Sequence, residues 1–245
     1  MERDCLIVPL GEEELVLACD ALGGIGPKEG DTLSVPLDVS AQFTARVALA
    51  EALAAGAEPL ALSVTLSVEP YPWLEEAKRG ILRELESIGK DHIPLLFSSE
   101  KNVKAEATGL GVTVLGRRLR GKNRPQLREG TLYALGVPSC GVAVLENANA
   151  IADLKDILKL WDLLPEAPIL PVGSRGIFCE ALHFIHGTSF ILHLNPKPPF
   201  PLYTSCGPAT VLLFASPESL IKLAPYFTKP LWVVGKLKER ELPKP

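Results

Sequence analysis

The alternation of apolar and polar positions predicts several strands in the first part of the chain. Residues 4–10 and 14–19 are short apolar runs on either side of a turn at Gly11, and such runs are typical of strands. From Leu60 to Val68, bulky apolar residues alternate strictly with Ala, Ser and Thr. A period of two is typical of a strand whose two faces differ. We expect a helix to cover the bulky face, and a second sheet or a second subunit to cover the face of small side chains.

Two stretches in the same half have helical spacing. Residues 40–56 are rich in alanine, begin with Ser40 as the expected N-cap, and end before Gly56, which suits the C′ position. Because alanine has little side-chain bulk, we expect this helix to lie close against a sheet. A second, amphipathic helix is predicted to begin with Pro72 in its first turn and to end at Gly89.

The remaining pattern predicts a second domain. A basic, polar stretch runs from Arg117 to Gly130, and we interpret it as a linker because it contains no aromatic residues of the kind that stack on nucleic-acid bases. We predict an α/β (α+β) fold of two domains, 1–122 and 123–245, each with a mixed, mostly antiparallel sheet backed by helices. The other predicted strands are Ile93–Phe97, Leu110–Leu119, a strand from Thr131, Thr210–Ala215 and Leu231–Gly235; the other predicted helices are Ile151–Trp161, Ser174–His186, and one capped by Ser216 with Pro217 at N1.

Composition and charge narrow the class of protein. Of the 245 residues, 47% are hydrophobic and 22% are charged, which is typical of a globular protein. The net charge of −4 provides no general attraction to nucleic acid or to an anionic membrane. The chain has no apolar run long enough to cross a bilayer and no signal-like start, and its five cysteines form no CxxC pair. We therefore expect a cytoplasmic protein with reduced thiols.

A glycine-rich loop between two acids is the first candidate site. Asp20 ends an apolar run, the loop Gly23–Lys28 follows, and Asp31 comes next. Backbone N–H groups of such a loop can face phosphate oxygens while carboxylates hold magnesium. A structural turn rich in Gly and Asp accounts for the same residues almost as well.

A second candidate site follows the predicted strand Ile93–Phe97. Ser98 and Ser99 are small hydroxyl residues that can donate to phosphate oxygens, and Glu100 adds an acid directly after them. Because an acid again follows a strand, as at Asp20, we favour a functional interpretation over a plain polar turn.

Three metal-capable residues occur at helical spacing in the second half, at Glu180, His183 and His186. Zinc sites can have this spacing. Histidines in a last helical turn also complement the helix dipole, and no further ligand is evident. We favour the structural interpretation.

The order of these motifs resembles the superfamily of aminoimidazole ribonucleotide synthase, which includes selenophosphate synthetase, thiamine-monophosphate kinase and a hydrogenase maturation factor. The resemblance rests on Asp20 after a strand, on the glycine loop with Lys28, and on the helix end from Glu51 through Gly56 to Pro59. Residues 206–237 are similar to the end of the same superfamily. The family usually has Asp at the position of Glu51 and glycines at those of Ser98 and Ser99.

The resemblance implies a homodimer in which the N-terminal strands of two chains form a shared barrel, with ATP in a groove at the dimer face. It also implies Mg-ATP as the cosubstrate, and an acid before the first strand, where Asp4 stands. The expected catalytic residues are Asp20 and Lys28; the expected ATP-binding residues are Gly24, Gly26, Lys28, Ser98, Ser99, Lys101 and Asn102; the expected Mg²⁺ ligands are Asp4, Asp20, Glu51 and Glu100.

Within the superfamily, the chain looks most like the α-ribazole kinase branch. The similarity lies in Arg3-Asp4, the loop 23–31, the helix 44–59 and the run Pro171–Ile177. This branch phosphorylates the 5′-hydroxyl of a riboside in cobamide lower-ligand salvage. The alternative is a related ATP-binding protein with another small-molecule acceptor or with no turnover, which the residues at positions 51, 98 and 99 favour.

Overall fold

Residues 4–121 and 125–240 are described by a computed structural model, in which they separate into two compact units at the gap between these ranges. In the first unit the elements are β1 (Cys5–Leu10), β2 (Glu13–Gly23), β3 (Ile25–Gly26), β4 (Leu33–Ser34), α1 (Leu37–Ala54), β5 (Glu58–Leu66), α2 (Pro70–Ser87), β6 (Leu95–Ser99) and β7 (Gly109–Leu119). In the second they are β8 (Gly130–Leu135), α3 (Ala143–Glu146), α4 (Leu154–Leu163), β9 (Ile169–Pro171), α5 (Gly176–Ile185), β10 (Phe190–Leu194), β11 (Leu212–Ser216), α6 (Leu220–Leu223) and β12 (Leu231–Glu239), with a 3₁₀ turn at Ala224–Tyr226.

The first unit is built on a five-stranded sheet with the order β1-β2-β7-β5-β6. All neighbours are antiparallel except β5 and β6, which run parallel. Helix α1 packs on β2 and β7, and α2 packs on α1. The two helices cross so closely that a Cβ on Gly80 would lie 1.9 Å from the carbonyl oxygen of Asp38. The alanines of α1 are buried in the same layer, so the predicted close packing of this helix is confirmed.

The two faces of this sheet differ as the alternation in β5 predicts. Leu62, Val64 and Leu66 are buried on one side of β5. The opposite face of the sheet carries exposed apolar side chains on both edge strands: Leu6 and Leu10 on β1 are 63% and 58% exposed, and Leu96 on β6 is 66% exposed. That this face forms a barrel with a second chain is still a prediction.

The second unit is built on another five-stranded sheet, with the order β10-β12-β8-β11-β9 and antiparallel pairing throughout. Tyr133, Phe184 and Phe214 are the largest of its fully buried side chains. Helix α5 packs on β10 and β11. With one parallel pair in the first sheet and antiparallel pairing elsewhere in both five-stranded sheets, the predicted class of mostly antiparallel sheets backed by helices is confirmed.

Several predicted boundaries are wrong. Ser40 is not an N-cap, because α1 begins at Leu37; Ser40 is buried inside the helix, where its hydroxyl donates to the carbonyl of Ile25 over 3.0 Å. Ser216 is the last residue of β11, and α6 begins later, at Leu220. Gly56 does follow α1 with φ of 76°, so the predicted helix end is confirmed.

The predicted strand Leu110–Leu119 is confirmed as β7, and the predicted linker that overlaps its end therefore begins too early. Arg117 and Arg118 belong to β7, and the Arg118 guanidinium bonds the carboxylate of Glu14 at 2.8 Å and the carbonyl of Ala55 at 2.6 Å. Residues 122–124 of the predicted linker lie outside the described residues. Within the described ranges, no helix combines the length and the apolar character that a bilayer crossing requires.

Candidate nucleotide site

The glycine loop after β2 is held by Thr108, the residue directly before β7. The N–H of Gly24 donates to the carbonyl of Thr108 over 2.9 Å, and the carbonyl of Gly24 accepts from the N–H of Thr32 over 2.8 Å. A Cβ on Gly26 would lie 2.3 Å from the hydroxyl oxygen of Thr108. Gly24 and Gly26 are thus both needed for the folded shape of the loop. The Gly24 N–H, which the sequence predicts as a phosphate donor, is hydrogen-bonded within the chain.

Asp31 closes this loop. Its carboxylate accepts hydrogen bonds from the N–H of Lys28 over 2.8 Å and from the N–H and the hydroxyl of Thr108 over 2.7 Å each. Asp31, the acid that follows the glycine loop in the sequence, therefore stabilises the folded shape of the loop. Thr108 could not be found from the sequence, because no local pattern connects it to the loop.

Lys28 projects from this loop toward the start of α2. Its ammonium nitrogen lies 2.5 Å from the carboxylate of Glu69 and 5.8 Å from the ring centroid of Trp73. The hydrogen bond from Lys28 holds the pKa of Glu69 below its usual range. Sequence reasoning missed both Glu69 and Trp73, since neither belongs to a motif.

Asp20 lies within β2, opposite Val112 of β7. Val16 and Ala18, four and two positions earlier, are buried under α1, and the half-buried Asp20 lies on the same side of the strand. Burial raises the pKa of Asp20 to about 6. A divalent cation beside this carboxylate would favour its charged form.

The other two predicted metal ligands lie at different places in the first unit. Asp4 is exposed and directly precedes β1, whose first residue, Cys5, pairs with Ala18. Glu51 lies in the last turn of α1, whereas Ser40 in the first half of that helix bonds the glycine loop. The helical rise separates Ser40 and Glu51 by about 16 Å along the helix axis. The structure thus places Glu51 far along α1 from the glycine loop.

Ser98, Ser99 and Glu100 line a pocket at the ends of the parallel strands β5 and β6. Ser98 and Ser99 are the last residues of β6 and pair with Thr65 and Leu66 of β5. The pocket has a volume of about 370 Å³ and is also lined by Ser67, Val103 and Ala105. Four of its lining residues, Thr65, Ser67, Ser98 and Ser99, have side-chain hydroxyls, and Glu100 has a carboxylate.

The Glu100 carboxylate is held by the turn that follows it. One carboxylate oxygen accepts the N–H groups of Lys101, Asn102 and Val103, over 2.9, 2.7 and 3.2 Å. These bonds, with that from Asn102 the strongest, keep the pKa of Glu100 low. Glu100 is therefore an ionised group fixed beside the pocket, and Lys101 and Asn102 are exposed next to it.

No three His, Cys, Asp or Glu side chains of the described residues lie together in a way that could hold a metal ion. The four predicted ligands are therefore not gathered into one cluster within a single chain, and neither are Glu180, His183 and His186. Mg²⁺ commonly binds proteins through one or two carboxylates together with substrate phosphates. Glu100 or Asp20, joined by phosphate oxygens, fits that mode.

Neither a protein-family model nor a curated protein matches the chain. Its fold is similar to that of AaThiL complexed with AMPPCP and TMP, with a TM-score of 0.64 and 15% identity over 98% of this chain and 86% of that one. Thiamine monophosphate kinase from Aquifex aeolicus gives a TM-score of 0.62 and 14% identity over 97% and 89%. T. maritima PurL complexed with ATP gives 0.57 and 14% over 96% of this chain, which spans 37% of the PurL chain.

These similarities establish the fold. The chain has the aminoimidazole ribonucleotide synthase-like fold of the ThiL and PurL structures, as its motif order predicts. The α-ribazole kinase branch and the dimer barrel are still predictions.

Proposed function

We propose that the protein is a Mg-ATP-dependent phosphotransferase that acts on a small molecule. The observation that carries this proposal is the hydroxyl-lined pocket at the ends of β5 and β6, with the ionised Glu100 fixed at its edge. Two of the structures with a similar fold are complexes, PurL with ATP and AaThiL with AMPPCP and TMP, and a third is a thiamine monophosphate kinase; these similarities support the proposal.

The residues of the first unit have distinct roles in this proposal. The hydroxyls of Ser98 and Ser99 donate to phosphate oxygens, and Glu100 or Asp20 binds the magnesium that accompanies ATP. The ammonium group of Lys28 offsets negative charge on the phosphates. Lys101, exposed directly after Glu100, adds a second positive charge. Phosphoryl transfer needs positioning and charge stabilisation more than a protein nucleophile, and this set of side chains can supply both.

For the acceptor, we propose the 5′-hydroxyl of α-ribazole or a related riboside. The support is the resemblance of the loop 23–31, the helix 44–59 and the run Pro171–Ile177 to the α-ribazole kinase branch. A reaction that consumes ATP in cobamide salvage fits the cytoplasm, where we expect the protein to act.

The test incubates the protein with Mg-ATP and α-ribazole and follows ADP and riboside phosphate by chromatography. We expect both products in equal amounts, and neither without Mg²⁺. Thiamine monophosphate and formylglycinamidine ribonucleotide serve as alternative acceptors in parallel reactions. Turnover of thiamine monophosphate in place of α-ribazole would refute the α-ribazole kinase assignment but leave the phosphotransferase class standing. Turnover of formylglycinamidine ribonucleotide would refute both, because its ATP-dependent ring closure releases phosphate instead of transferring it to a product.

A second candidate is an ATP-binding protein without turnover. It is favoured by the engagement of Lys28 with Glu69 and of the Gly24 N–H with Thr108, which occupy two groups expected to contact phosphate. Binding of Mg-ATP by calorimetry, with no product from any of the three acceptors, would select this candidate.

A further inference from the structure

The ammonium group of Lys28 has a counter-anion within its own chain. Its nitrogen lies 2.5 Å from the Glu69 carboxylate, and the side chains of Lys28 and Glu69 are 12% and 30% exposed. The same nitrogen lies 5.8 Å from the centroid of Trp73. The lysine side chain is thus mostly buried, and its charge is compensated by the adjacent carboxylate.

Glu69 also lies close to the candidate nucleotide pocket. Ser67, two positions earlier, lines that pocket, and α2 begins directly after Glu69 at Pro70. Besides its hydrogen bond from Lys28, Glu69 is attracted by the positive charge of Lys104. Lys104 therefore remains as a positive charge near Glu69 when Lys28 binds another anion.

We propose that Glu69 is a resident counter-anion of Lys28 that a phosphate group of the ligand displaces, and that it thereby determines which anions the site accepts. The inference rests on the proposed function, because the phosphate chain of ATP is the group that replaces the carboxylate. Repulsion between Glu69 and a ligand grows with the ligand's negative charge, and metal-free ATP has about twice the negative charge of Mg-ATP. Glu69 therefore disfavours metal-free nucleotide relative to the magnesium complex.

The variant Glu69→Gln keeps the side-chain shape and removes the charge. We expect it to bind Mg-ATP about threefold more tightly and metal-free ATP about tenfold more tightly. The repulsion energy is proportional to the charge of the ligand, so twice the charge doubles the logarithm of the gain in affinity. Glu29→Gln is the matched control, since exposed Glu29 lies next to Lys28 in the same loop and the substitution removes the same charge. Screening in solvent should keep its effect on both ligands below about twofold.

Two further measurements link the effect to Lys28 itself. In a Lys28→Ala background the competition for the ammonium group is gone and only direct repulsion of the ligand by Glu69 is left. The gain from Glu69→Gln should therefore differ from its value with Lys28 present, and a double-mutant cycle measures this coupling. Equal gains in the two backgrounds would contradict the displacement. Trp73 fluorescence should change when wild-type protein binds ligand, since the ammonium group leaves the ring; the Trp73→Phe variant should lose that signal. A purely structural role of Glu69 would not make its effect depend on Lys28 or on ligand charge.

Inorganic tripolyphosphate separates this inference from the nucleotide function. Tighter binding of tripolyphosphate by Glu69→Gln, with no ATP binding, would refute the nucleotide function and support the displaced counter-anion. Normal ATP binding by the wild type, with unchanged or weaker binding by Glu69→Gln, would overturn the inference and leave the function intact. If neither wild type nor Glu69→Gln binds tripolyphosphate, the inference is overturned as well.

Discussion

Asp31 and Thr108 lie 77 positions apart in the sequence and are joined by two hydrogen bonds of 2.7 Å, one from the Thr108 N–H and one from its hydroxyl. The same carboxylate accepts the N–H of Lys28 over 2.8 Å. Gly26 packs against the Thr108 side chain, which leaves no room for a Cβ. These contacts within the chain fix the shape of the glycine loop and of the backbone that presents Lys28.

Replacement of Asp31 by alanine should destabilise the protein. It removes a charged acceptor from three donors, which we expect to lower the free energy of unfolding by about 2–3 kcal/mol. Urea unfolding followed by circular dichroism measures the change. Asp91→Ala, at an exposed acid in the same unit, is the control and should stay within about 0.5 kcal/mol of the wild type. An equal decrease in the free energy of unfolding in the two variants would mean that Asp31 does not stabilise the loop.

The elements that the sequence predicts well are those with local signals. The two faces of β5 follow from strict alternation, and the end of α1 follows from Gly56, whose positive φ suits a helix end. The start of α1 was mispredicted because the Ser40 hydroxyl makes a tertiary bond to Ile25 instead of a cap.

In the candidate site, too, residues with a local sequence signal are predicted and residues that meet only through the tertiary fold are missed. Glu100 is predicted as a site residue because it directly follows a strand, and it lines the pocket; its role as a metal ligand is still a prediction. The partners of the glycine loop were missed because Lys28 and Glu69 are 41 positions apart, and Asp31 and Thr108 are 77 apart. A single sequence contains no periodic signal for such pairs, since they form only when β5, β7 and the loop are assembled.

Asp20 should make the stability of the metal-free protein depend on pH. Burial raises its pKa from 3.8 to about 6 in the folded state. The folded state therefore holds the proton more tightly than the unfolded state, and the resulting stabilisation is complete below about pH 4 and is lost as the pH rises through about 6. In EDTA, Asp20→Asn should be more stable than the wild type at pH 8 by about 1–2 kcal/mol, a value reduced for partial exposure, and the difference should vanish near pH 4.

Urea unfolding of both proteins at several pH values tests this. Asp91→Asn provides the matched control, because the same substitution at an exposed acid should give a small difference that does not vary with pH. A wild-type protein that is as stable as Asp20→Asn at pH 8 would contradict the raised pKa.

Two substitutions of Glu100 should separate its structural role from its role in binding. Glu100→Gln keeps an oxygen that can accept the three N–H groups of the following turn, whereas Glu100→Ala removes it. We expect both to weaken Mg-ATP binding by at least about tenfold, because both lose the carboxylate beside the pocket. Only Glu100→Ala should lower the urea midpoint of unfolding clearly. Calorimetry with unchanged affinity for Mg-ATP in both variants would remove Glu100 from the site.

The exposed sheet face of the first unit should join two copies of the chain. Leu6, Leu10 and Leu96 present apolar surface there, and burial of such surface in an interface of standard size, about 1,600 Å², supports a stable dimer. We expect light scattering at about 20 µM to give twice the chain mass of 26.4 kDa. Leu6→Arg places a charge on this face and should yield a folded monomer, because an unpaired buried charge is costly. Ile221→Arg, at a side chain that is 85% exposed in the second unit, is the control and should stay dimeric. A monomeric wild type at that concentration, or dissociation by both substitutions alike, would exclude this face as the dimer interface and with it the shared barrel.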